Sequence, residues 1–122
     1  MCNMIGSPDH IRATEAKLVE HCEAVGRDPS QIERTVEIRQ PVIRDSQSEA
    51  ERVLHEIFAQ NDSEPWSRDM VGTPQKLVDK CAPYVEMGYR HLIFQFLSPF
   101  DQETMERLAT DVRPHLESIA SN

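Results

Sequence analysis

Positive charge is what this chain is short of. Thirteen Lys and Arg stand against 21 Asp and Glu in 122 residues, a formal net charge of -8. That balance argues against nucleic acid or an anionic membrane as a partner, since both select for basic surfaces. Long apolar runs are missing too, and none approaches the ~20 residues of a membrane-spanning helix. No basic stretch followed by an apolar core marks a secretion signal near the N-terminus. With four glycines in all, there is no Gly-rich phosphate loop, and no nucleophile elbow or pair of catalytic carboxylates can be read. Cys2, Cys22 and Cys81 are odd in number and far apart. They read as reduced thiols of a cytoplasmic protein. The histidines at 10, 21, 55, 91 and 115 lack the paired spacing of metal ligands, so no metal site is expected.

The apolar share, 39%, suffices for the core of one domain. Ser7-Pro8 starts a helix, whose face is Ile11, Leu18, Cys22 and Val25 and whose left-handed stop is Gly26. Asp28 to Gln31 form a capped turn. From Arg34 to Ile43 the pattern alternates. Val36 and Ile38 fall on one face of that predicted strand, with Thr35, Glu37 and Arg39 on the other, and Pro41 limits its bonding. Ser46 opens a helix over 46–60 with Val53, Leu54, Ile57 and Phe58 as its stripe. Residues 61–72 read as a polar loop carrying Trp66, as a lid or an edge plug. Thr73-Pro74 caps a helix over 74–87, and "RHLIFQF" (90–96) then alternates again. Leu92, Phe94 and Phe96 are expected on its helix side, with Ile93 and Gln95 opposite. Asp101 starts a final helix that Pro114 bends or interrupts. The order is α/β, and the strands at 34–43 and 91–96 are expected to be parallel neighbours.

Three segments carry a resemblance. "HCEAVGRDPSQIERT" (21–35), "VGTPQKLVDKCAPYVEMGYRHLIFQF" (71–96) and "DQETMERLATDVRPHL" (101–116) resemble, in order, the C-terminal third of the luciferase-like oxidoreductases. The resemblance implies a partial (β/α)8 TIM barrel covering roughly the last three β/α units, with residues 1–122 one piece of that domain. Asn3 through Ser7 would form the mouth of the sixth strand. The family uses flavin mononucleotide (FMN) or the deazaflavin coenzyme F-420 in oxidoreductase or monooxygenase chemistry on a small-molecule substrate. Its earlier strands and its Gly-rich phosphate segment have no counterpart here. The resemblance therefore implies an incomplete fragment, inactive alone, that self-associates or pairs with the missing part of the barrel. The alternative is a non-catalytic assembly or small-ligand-binding α/β module.

In such a barrel, function gathers at the C-terminal ends of the strands. Asn3, Gly6, Arg39 and Gln95 are the expected cofactor-binding residues, with no catalytic residue assigned. Each has a structural alternative. Gln95 could be a satisfied interior amide, and Arg39 could pair with Glu37 rather than reach an anionic group.

Overall fold

Residues 2–65 and 67–121 are described by the structure, a computed structural model. In chain order its elements are β1 (Cys2–Ile5), α1 (Pro8–Val25), a 3-10 turn (Pro29–Gln31), β2 (Arg34–Arg39), β3 (Val42–Ile43), α2 (Gln47–Gln60) and β4 (Val71–Gly72). There follow α3 (Pro74–Glu86), β5 (Leu92–Gln95), α4 (Gln102–Arg107), a π-helical turn (Leu108–Val112) and α5 (Arg113–Ala120). Trp66 lies outside the described residues, so its expected role as lid or plug is untouched.

β1, β2 and β5 form a parallel sheet in the order β1-β2-β5. Strands β2 and β5 are thus the expected parallel neighbours. Met4, Val36 and Ile38 point to one face, where they pack with Ile11 of α1, Cys81 and Tyr84 of α3, and Tyr89. Leu92 and Phe94 lie half-buried against the same cluster, while Ile93 and Gln95 are exposed. Phe96 is half-buried just past the strand. The alternation of "HLIFQ" thus translates directly into one covered and one open face.

Four expectations need correction. β1 is a strand in full register with β2, from Cys2 opposite Arg34 to Ile5 opposite Glu37. Four residues between a start and a glycine are too few for periodicity to stand out. The expected strand over 34–43 breaks after Arg39. Gln40 takes a positive φ of 45°, and Pro41 has no N–H, so the chain leaves the sheet there. Val42 and Ile43 pair instead with Val71 and Gly72 as a second parallel sheet, inside the segment expected to be polar loop. Val25, expected on the inner face of α1, is 77% exposed because that helix's last turn runs past the core.

The helix ends follow local chemistry. Ser7, Ser46, Thr73 and Asp101 each accept a backbone N–H three residues on. Gly26 closes α1 in the left-handed conformation at φ 73°. Pro114 cannot donate to an α-helical ladder, and the π-turn before it takes up the mismatch.

A buried polar knot fixes the C-terminal helices to β3. Asp101 receives Nη2 of Arg44 at Oδ1 (3.0 Å) and Nη1 at Oδ2 (3.2 Å), with only 12% and 6% of the two side chains exposed. Thr104 donates to Asp101 Oδ2 (2.6 Å) and accepts the N–H of Ile43 (3.0 Å). A fork-to-fork pair with its spare lone pairs satisfied can hold against its desolvation cost. Asp101→Ala should cost about 1–3 kcal/mol in urea unfolding, by removing the fork-to-fork partner of a buried guanidinium that keeps Glu103 (3.5 Å) and the Ile43 carbonyl (2.8 Å). A loss under about 1 kcal/mol would show that the knot is solvated.

Burial also sets the alkaline limit. It pushes the Cys81 thiol up to about 12 and raises the Tyr84 and Tyr89 phenols, the last also through its bond to Glu15. All three keep their protons in the folded state where the unfolded chain has lost them. Stability is therefore expected to fall as pH rises above about 9, by up to about 1.4 kcal/mol per pH unit for each such group. Chemical denaturation across an alkaline pH series checks the sign.

Candidate functional site

The open face of the sheet is where the strands leave chemistry uncovered. β1 contributes Asn3 and Ile5, β2 contributes Thr35, Glu37 and Arg39, and β5 contributes Ile93 and Gln95. In register, Asn3 lies beside Thr35, Glu37 lies between Ile5 and Ile93, and Arg39 lies beside Gln95.

The polar members form a hydrogen-bonded chain across the strands. The Thr35 hydroxyl, fully buried, donates to Asn3 Oδ1 (2.8 Å). Asn3 Nδ2 donates to Glu37 Oε2 (2.9 Å), and Arg39 Nε donates to Glu37 Oε1 (3.3 Å). Each end of the Asn3 amide is thus used, which fixes its orientation. Glu37 is the hub. Its side chain is 18% exposed, against 50% for Arg39. The carboxylate therefore sits in the sheet while the guanidinium reaches towards solvent at the C-terminal end of β2. Ligands of parallel α/β sheets bind at that end of the strands.

Of the four expected residues, the structure brings Asn3, Arg39 and Gln95 onto this face, and Asn3 and Arg39 meet through Glu37. The expected Glu37–Arg39 pair is present, so Arg39 has a structural partner as well as an outward reach. Gly6, just past β1, has a turn role. Its φ is 127°, and an added Cβ would lie 2.7 Å from the His10 ring. Its carbonyl accepts the Tyr84 hydroxyl (2.8 Å), a phenol kept protonated by burial first and by Cys81 and Asp69 next. Gly6 therefore lets the chain turn from β1 into α1.

Gln40 escaped sequence reasoning. Buried just after β2, it accepts the N–H of Leu97 at Oε1 (2.7 Å) and donates to the Pro41 carbonyl (3.3 Å). Its backbone N–H donates to the Gln95 carbonyl (2.7 Å). It thus clips the loop after β5 to the end of β2. A glutamine beside a proline carries no signal of this before the topology is known.

This set fits a flavin or deazaflavin only in part. Two amides and a guanidinium can hydrogen-bond the polar edge of a planar heterocycle. Arg39, the cation that the described strands bring to this face, is shared with Glu37 and so is not a dedicated phosphate ligand. No chemical step is assigned to these residues. Among the described residues, no three His, Cys, Asp or Glu lie close enough together to hold a metal ion. No protein-family model matches the chain, and no curated protein does.

Burial separates the members of the chain by energy. Thr35→Val should cost about 1 kcal/mol, because a buried hydroxyl and its bond are lost. Arg39→Ala should change stability by less than about 0.5 kcal/mol, because its pair is half-exposed and screened. Thermal unfolding of the two variants gives the comparison. The reverse ranking would make Arg39 a structural residue.

Proposed function

We propose that this chain is a sector of a luciferase-like (β/α)8 oxidoreductase, supplying one hydrogen-bonding wall of a flavin or deazaflavin cleft. The observation that carries the reading is the sheet itself. Three parallel strands lie side by side in chain order, with helices on one face and a polar row on the other. A sector of a barrel has that form, because the helices ring the outside and the strands turn their other face inward. The three resembling segments fall on α1 through β2, β4 through β5, and α4 through α5, in the order that the resemblance implies.

In this reading Asn3, Arg39 and Gln95 orient the ring edge, Glu37 holds Asn3 and Arg39 in place, and the cofactor supplies the hydride or oxygen chemistry. The remaining wall and the phosphate site belong to other strands, so the chain binds weakly and does not turn over alone. The shared chemistry is a planar, polar-edged heterocycle.

Titration with FMN, and separately with coenzyme F-420, followed by amide chemical shifts, tests the reading. The expected shifts gather at Asn3, Arg39, Gln95 and the ends of their strands, and Arg39→Ala weakens them. Shifts elsewhere, or none with either cofactor, would remove the cofactor reading. Turnover by the chain alone would remove the claim that it is only a sector.

A further inference from the structure

We infer that β5 is the pairing edge of a two-fold homodimer, with Ile93 on the symmetry axis. The inference stands on the sheet edge and does not need a flavin; it describes the chain by itself, since in a closed barrel another strand would take the same edge. Among the described residues β5 has a hydrogen-bonded neighbour on one side only. Val36 N–H donates to the His91 carbonyl (3.2 Å) and Gln40 N–H to that of Gln95 (2.7 Å). Odd-numbered residues of β5 therefore turn their backbone groups to β2. Alternation then directs the N–H and C=O of Leu92 and Phe94 outward. An edge of this kind is a template for another strand.

Side chains mark the same edge. A groove of about 510 Å³ runs between β5 and the C-terminal helices, lined by Leu92, Phe94, Met105, Leu108, Val112 and Leu116 among others. Ile93, on the opposite face, is 36% exposed, a large apolar side chain left to solvent.

Charge favours a second copy as the occupant. With a net charge of -8, two copies repel in most orientations. Residues 88–100, "GYRHLIFQFLSPF", contain no acidic residue and two basic or titratable ones, Arg90 and His91. The edge strand itself thus brings no carboxylate to a second copy; the nearest are Glu37, beside Ile93 on β2 and paired with Arg39, and Glu117 in the groove.

Two-fold symmetry makes the pairing antiparallel, and the outward groups choose the register. Leu92 exchanges both backbone bonds with Phe94 of the second copy, and symmetry repeats the exchange. The cross-strand pairs are then apolar on both faces. Leu92 meets Phe94 on the groove side, and Ile93 meets its own counterpart on the open side. Ile93 falls in the non-hydrogen-bonded position, where Cα atoms approach to ~4.5 Å, a spacing that a disulfide can bridge.

Light scattering over a dilution series of the whole chain, with Ile93→Cys, Gln95→Cys and Ile93→Lys variants, decides the matter. The expected results are a reversible dimer, and a covalent dimer of Ile93→Cys under mild oxidation. Peptide mapping should place that bridge at position 93, and Gln95→Cys, which faces His91 of the second copy, should not cross-link. Ile93→Lys should raise the dissociation constant at least about tenfold with its circular dichroism unchanged. A protein monomeric at every concentration overturns the inference. So does a dimer in which Ile93→Cys fails to cross-link, a result that does not depend on how the lysine variant folds.

Discussion

The three-stranded sheet and the core beneath it hang on β2 having a neighbour on each side. Its backbone groups bond to β1 through Cys2–Ile5 and to β5 through Leu92–Gln95. Without that double pairing, Val36 and Ile38 would have no plane from which to enter the core. α1 would then lose the plane it packs on, and α3 would keep only its second contact, Leu77 and Val78 against Ile43 and Val112. A parallel ladder needs a long crossover for each new strand, so the helices are a condition of the pairing as much as a result of it. The polar row is fixed by the same ladder. Thr35 reaches Asn3, and Asn3 reaches Glu37, because the register sets those side chains next to each other.

The sheet also explains why its two faces differ so sharply. On one, apolar side chains from five segments exclude water. On the other, an exposed isoleucine from each outer strand flanks a carboxylate hub. Such a face suits a hydrogen-bonding wall better than a dry packing surface, because burying Glu37 and Arg39 against apolar atoms would be costly. Gln40 sits where the two functions meet. Its positive φ turns the chain out of the sheet, and its side chain secures the loop that follows β5.

How much of this could be read beforehand depended on length of pattern. The alternation of Thr35 to Arg39 and of Leu92 to Gln95 was enough to place both strands, their faces and their parallel pairing. The caps at Ser7, Ser46 and Thr73 fixed three helix starts, because a hydroxyl accepts a backbone N–H wherever it stands before a helix. Two-residue strands have no period, so Val42–Ile43 and Val71–Gly72 were invisible within what looked like a strand end and a loop. At the candidate site, Arg39 and Gln95 could be placed on one sheet face from the strand pattern, and Asn3 only through the resemblance; the structure puts all three on that face. Thr35 and the hub role of Glu37 were not legible, because they depend on which strand lies beside which. Gly6 lies just past the end of β1, where its contacts with Tyr84 and His10 give it a turn role that sequence alone did not show.

The knot between Arg44 and Asp101 joins residues 57 positions apart. A ribosome adds roughly 5–20 residues each second, so the guanidinium waits several seconds for its carboxylate to be made. Until then Arg44, next to β3, lacks the carboxylate that offsets the cost of burying its charge. Dehydration of this half of the nascent chain is thereby timed to the arrival of "FDQET", the segment that carries both Asp101 and Thr104.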